Sequence, residues 1–159
     1  MLVVYASWLG MLAVHELGHV LHAVVSGGRV ERVNFPLLGF SQTIVHPNPH
    51  EQFVVWGGLL WGAALPAMGA AIIWMVRRRV PEWLKFFAGF CLIANGGYMA
   101  VGWVHRDSGA DPAELRRLGA PVWPMIAIGA AMISAGLATW HRSAWLTRRM
   151  DVAGVSAAQ

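Results

Sequence analysis

The amino-acid sequence predicts an all-α integral membrane protein, with about four transmembrane helices and a short β-hairpin between the first and the second. Three observations carry this expectation. Of 159 residues, 57% are hydrophobic and only 13% are charged, with nine tryptophans among them, a balance that suits a bilayer better than a soluble core. Four apolar segments, residues 2–25, 53–76, 86–104 and 120–140, are each long enough to cross roughly 30 Å of hydrocarbon, which takes about 20 helical residues. Glu16 is the only formal charge inside any of them.

Continuous helix is the conformation expected for all four spans, because an unpaired backbone group facing lipid costs several kcal/mol. The first span opens Met-Leu-Val-Val-Tyr, without the positively charged leader of a secretory signal, so residues 1–25 are expected to be retained. Gly27-Gly28 should stop that helix. The β-prone residues flanking Pro36-Leu37-Leu38-Gly39 then predict a hairpin over 29–35 and 40–45. Gly57, Gly58, Gly62 and Gly69 in the second span offer close helix contacts, and packing is their expected role. A short basic connection, 77–85, leads to the third span. A longer acidic one, 105–119, holds a short helix before the fourth.

Residues 1–150 are expected to form a single membrane domain, and 151–159 a disordered tail. The formal charge is +4, but the basic residues cluster between apolar segments, at Arg77–Arg79 and Arg142–Arg149, instead of forming a stripe. They read as anchors near lipid headgroups and exclude a nucleic-acid partner. Cys91 stands alone, which rules out an intramolecular disulfide and a cysteine metal cluster. These features predict a multi-pass protein of the cell membrane, with the lipid bilayer as its first partner.

The chemistry is concentrated in His15-Glu16-Leu17-Gly18-His19. Histidines four apart share one helix face, so both imidazoles can reach one metal ion, and Glu16 can touch a water on that ion. Ionisable groups inside a bilayer need partners or a wet cavity, so function is the default reading for them. A hydrolytic zinc site takes three protein ligands and leaves a fourth position for water. An even number of spans brings the end of the first helix and the exit of the third to the same membrane surface. Asp111 is therefore the first choice for the third ligand, then Asp107, with Glu114, His22, His46 and His50 behind. Asp111-Pro112-Ala113-Glu114 is also a good helix start, with Asp111 as N-cap. His22 and Asn95 are candidates for contacts to the ligands or to substrate, although an interfacial histidine and an amide bonded to a neighbouring helix are their commoner roles.

With these residues in place, the chain resembles the site-2 protease family of intramembrane zinc metalloproteases. The resemblance rests on the five-residue motif in the first membrane helix, the Gly-Gly-Arg and hairpin segment after it, and a later aspartate near a membrane-helix end. It implies one zinc ion held by His15, His19 and Asp111, Glu16 as the base that activates water, and the hairpin as a support for extended substrate. The implied activity is a membrane-embedded metalloendopeptidase acting on membrane-associated or transmembrane substrates. The family's Asn-Pro and Asp-Gly elements around its third ligand are not matched here, where Asn95 lies within the third span and Asp111 precedes a proline. The rival expectation is a non-catalytic membrane metal-binding or adaptor protein that keeps the helix motif.

Overall fold

In the computed structural model, which describes residues 2–104 and 109–156 with side chains as far as Arg142, the chain is mostly helical. Its elements are α1 (Leu2–Val25), β1 (Val30–Asn34), β2 (Gln42–Val45), α2 (Glu51–Arg77), α3 (Glu82–Val101), α4 (Asp111–Arg117) and α5 (Val122–Ser156), with a 3-10 turn, Gly102–Val104, after α3. Four of the helices are long and apolar enough to cross a membrane: Leu2–Val25, Glu51–Arg77, Glu82–Val104 and Val122–Arg142.

The expected spans are all present with shifted boundaries: α2 and α3 begin earlier than expected and α5 begins two residues later. α3 begins at Glu82, four residues before the apolar run, with Pro81 as its N-cap, because helix can continue into polar residues. For the same reason α5 runs past Trp140 to Ser156. The tail expected to be disordered over 151–159 is thus helical as far as Ser156, and 157–159 lie outside the described residues.

Gly27 ends α1 as expected. It adopts a left-handed backbone, φ 79°, and Gly28 N–H returns to Ala23 O at 2.7 Å, so the last turn closes at a residue with no Cβ to clash. The antiparallel hairpin follows, pairing Val33 with Thr43 and Asn34 with Gln42, with a bulge between Val30 and Arg32. It folds back along α1 instead of standing at the helix end. Ser41 and Thr43 reach Glu16, the Phe40 ring meets Trp8, and Tyr5 O–H donates to Leu37 O. The turn therefore lies at the far end of α1, roughly 30 Å from Val25 at 1.5 Å per helical residue.

Small residues set the helix contacts. A Cβ added at Gly18 would lie 2.2 Å from Gly57 O, and one at Gly129 would lie 2.5 Å from Gly96 O, so α1 meets α2, and α3 meets α5, backbone to backbone. Of the four glycines expected to pack, Gly57, Gly58 and Gly62 do so, whereas Gly69 has open space beside it. Two apolar clusters lock the bundle. Leu59, Met99, Leu115 and Met125 join α2, α3, α4 and α5, while Met11, Leu12 and Cys91 join α1 to α3. The first cluster buries Leu115 completely, and this anchors the short helix that carries Asp111.

Candidate metal centre

His15 and His19 are both buried and one helical turn apart on α1. Their Nε2 atoms lie 3.2 Å from each other. Asp111, the first residue of α4, places Oδ2 at 2.8 Å from His15 Nε2 and 3.2 Å from His19 Nε2. Among the described residues, this is the one group of three histidine, cysteine or acidic side chains able to hold a metal ion.

The orientation of each imidazole follows from its other nitrogen. His19 Nδ1 sits 2.9 Å from Val54 O, and a carbonyl can only accept, so Nδ1 carries the proton. His15 Nδ1 faces Asn95 Oδ1 at 3.0 Å. Asn95 Nδ2 donates to Cys91 O at 3.0 Å, which fixes the amide with its oxygen toward His15. In the neutral tautomers both Nε2 lone pairs therefore point at each other and at a carboxylate oxygen. Three such atoms can share a metal ion; without one, a proton on an Nε2 donated to Asp111 meets the same need.

The donor set fits zinc. Tetrahedral ligands about 2.0–2.1 Å from a zinc ion lie about 3.3 Å from one another, close to two of the observed separations, 3.2 Å, and longer than the third, 2.8 Å between His15 Nε2 and Asp111 Oδ2. Room for the ion comes from Gly58. A Cβ there would sit 2.2 Å from His19 Nε2 and 2.7 Å from His15 Nε2, inside the space an ion bound to both nitrogens needs. Identical reasoning fits other divalent ions that accept imidazole and carboxylate.

Asp111 is not the N-cap that its sequence context predicts. The cap position is Ala110, and it has no side-chain cap hydrogen bond. The cause lies in the tertiary structure: Asp111 N–H donates to the Tyr98 hydroxyl at 2.9 Å, which seats α4 so that the Asp111 carboxylate turns toward the histidines. Without a metal ion, burial by itself would raise this carboxyl, but a protonated imidazole beside it and the hydrogen bonds from the two rings outweigh burial and hold it below the usual carboxylate range.

Glu16 lies on the same cavity and is held on both oxygens. Ser41 Oγ donates to Oε1 at 2.6 Å and Thr43 Oγ1 to Oε2 at 2.5 Å. A carboxylate next to the ligands, with its oxygens aimed by two hydroxyls, is positioned to accept a proton from a water in the cavity.

The remaining candidates are elsewhere. His22 bridges α1 and α2: its Nδ1 donates to Phe53 O at 2.6 Å, its Nε2 accepts from Trp61 Nε1 at 3.0 Å, and its ring stacks on Phe53 at 4.1 Å. Both nitrogens are used, so His22 is a helix-packing residue, the commoner of its two expected roles. Asn95 also takes its commoner role, bonding a neighbouring helix, and the residue it bonds is the candidate ligand His15. The Glu114 carboxylate pairs with Arg117, whose hydrogen bond keeps it below its ordinary value. His50 precedes α2 and lines a different, open cavity, and His46 lies outside the cluster. Asp107 lies outside the described residues.

Sequence reasoning missed Ser41, Thr43, Tyr98, Val54 and the role of Gly58. The hydroxyls had a weak local signal, since Ser41 and Thr43 share one face of the predicted strand. A backbone carbonyl such as that of Val54 has none. No protein family, curated protein or solved structure matches the chain.

Proposed function

We propose that this protein is a membrane-embedded zinc metalloendopeptidase of the site-2 protease type, hydrolysing peptide bonds of membrane-associated or transmembrane substrates. The observation that carries the reading is the convergence of His15, His19 and Asp111, from residues far apart in the chain, on one cavity with Glu16. The helix surfaces expose Leu17, Leu21, Leu60, Met68, Ile72 and Leu137. A belt of this kind is costly in water and suited to lipid, which supports placement as a multi-pass membrane protein.

His15, His19 and Asp111 would hold the ion, which when bound supplies a Lewis acid for the scissile carbonyl and lowers the pKa of its water toward 7. Glu16 would accept a proton from the attacking water and return it to the leaving amine nitrogen when the C–N bond breaks. Val54 O and Asn95 Oδ1 keep both imidazoles in the tautomer that leaves Nε2 free. Ser41 and Thr43 fix the direction of Glu16.

The test is to purify the full chain, measure its metal, and follow cleavage of a membrane-protein reporter in liposomes. Wild type is expected to hold one zinc per chain and to cleave; Glu16→Gln is expected to keep zinc and lose cleavage. Undiminished cleavage by Glu16→Gln overturns the mechanism. Stoichiometric zinc with no cleavage by wild type favours the non-catalytic metal-binding protein instead.

A further inference from the structure

The cavity that holds the candidate metal centre has two chemically different ends. One end carries His15, Glu16, His19 and Asp111. The other is formed by Trp8, Met11 and Leu12 of α1, Phe40 of the hairpin and Ala94 of α3, with no ionisable group among them. Leu12 lies about one helical turn from His15, and Trp8 about one turn further, so the apolar end begins directly beside the first ligand. Met11 and Leu12 are buried and close its floor, while Phe40 is 73% exposed and stands at its mouth, its ring 5.9 Å from that of Trp8 in an edge-on contact.

Size restricts what can enter. The cavity volume is about 320 Å³, divided between the polar and the apolar end. A helix keeps its carbonyls in internal hydrogen bonds, so only an unwound segment can present a scissile bond here. An extended peptide segment with one large side chain fits, and a second cavity adjoining at Phe40, Ser41 and Tyr98 and extending toward Gly102 and Ala110 leaves a path for the chain to continue.

Building on the peptidase reading, we infer that the apolar end is a specificity pocket that takes one large apolar side chain, of the leucine, methionine or phenylalanine class, from an unwound substrate next to its scissile bond. The adjacency to His15 and Glu16 sets which residue of the substrate it reads. A lone lipid tail would leave the polar end of the same cavity without partners. Met11 gives the floor some adaptability, since an unbranched thioether side chain can repack around occupants of different shape.

Zinc-loaded full-length protein is assayed with a series of peptides that differ at one position only, carrying Gly, Ala, Leu, Phe or Trp. Wild type should cleave the Leu or Phe peptide with a kcat/KM at least about tenfold above that of the Ala peptide, the scale on which apolar pockets discriminate. Ala94→Leu, which fills the pocket, should collapse that ratio while zinc content stays at one per chain. Met11→Ala, which enlarges it, should move the preference toward Trp, and it keeps the test open should Ala94→Leu fail to fold. Equal rates for Ala and Leu peptides in wild type, or a preference unchanged in both variants, overturns the pocket assignment. So does one tightly bound phospholipid per chain in wild type that Ala94→Leu lacks. Failure of zinc-loaded wild type to cleave any peptide removes the peptidase reading beneath it, an outcome distinct from cleavage without preference.

Discussion

Gly58 of α2 lies directly against His19 of α1, so close that a single added carbon would stand 2.2 Å from Nε2. The absence of a side chain at this position makes the space in which three donors can share an ion. Gly58→Ala is therefore expected to lower zinc affinity at least about tenfold while the helix content measured by circular dichroism is retained. Normal zinc stoichiometry in this variant would show that the ion, if bound, does not occupy the space between the two imidazoles.

Asn95 orients His15 through Oδ1 and is itself held by Cys91 O. Replacing the amide with Leu removes the acceptor for His15 Nδ1–H and frees the ring to turn. Loss of such a partner typically costs 10–100-fold in metal affinity. Competition with a chromophoric chelator measures it, and an unchanged affinity would mean that the burial of His15 alone fixes its ring.

Thr43 and Ser41 act on Glu16 and not on the ligands. Thr43→Val is expected to leave zinc binding intact and to reduce kcat by roughly an order of magnitude, a part of the 10²–10⁴-fold that general-base catalysis typically contributes. Thr43→Ser, which restores the hydroxyl, should recover most of the loss. A drop in zinc content parallel to the drop in kcat would assign Thr43 to the fold instead.

Protons and zinc compete for the same Nε2 lone pairs, so zinc affinity should fall as pH falls, by up to about two decades per pH unit where both imidazoles must be deprotonated to bind. Asp111 should not add to that slope near neutrality. Its carboxyl is held below the ordinary value in the folded protein, so its contribution to stability is present above the unfolded value of about 3.9 and is lost only as pH falls through the lower folded one. Zinc retention measured from pH 8 to pH 5 checks this, and a slope near three decades per unit would contradict it.

His22 offers a control. Its two hydrogen bonds join α1 to α2, so His22→Ala is expected to destabilise the bundle by about 1–3 kcal/mol, leaving Trp61 Nε1–H and Phe53 O without their partner. Zinc content should not change. Thermal unfolding in detergent and metal analysis of the same sample separate the two effects.

The parts of this protein legible in the sequence are those set by short-range periodicity. Length and apolarity marked four long helices, and these formed with boundaries that moved by up to four residues at their N-terminal ends. The spacing of His15 and His19 put both imidazoles on one face because 3.6 residues per turn leaves no other choice. Gly27 terminated α1 because only a residue without Cβ takes its left-handed backbone cheaply. Asp111 was the first choice as third ligand on topology, and its place beside the histidines agrees with that choice, but its local context pointed to an N-cap that the folded chain does not use.

The tertiary structure decided the rest. Asp111 reaches His15 from 96 residues away, and which of several acids does so depends on how Leu115 and Tyr98 seat α4 on the bundle. The hairpin was legible, whereas its course along α1, and with it the pairing of Ser41 and Thr43 to Glu16, was not. Local sequence determines which way a side chain faces on its own element, because that depends on backbone geometry alone. Which groups from distant elements come to share a cavity depends on close packing between helices, and at Gly58 that packing turns on the absence of one methyl group.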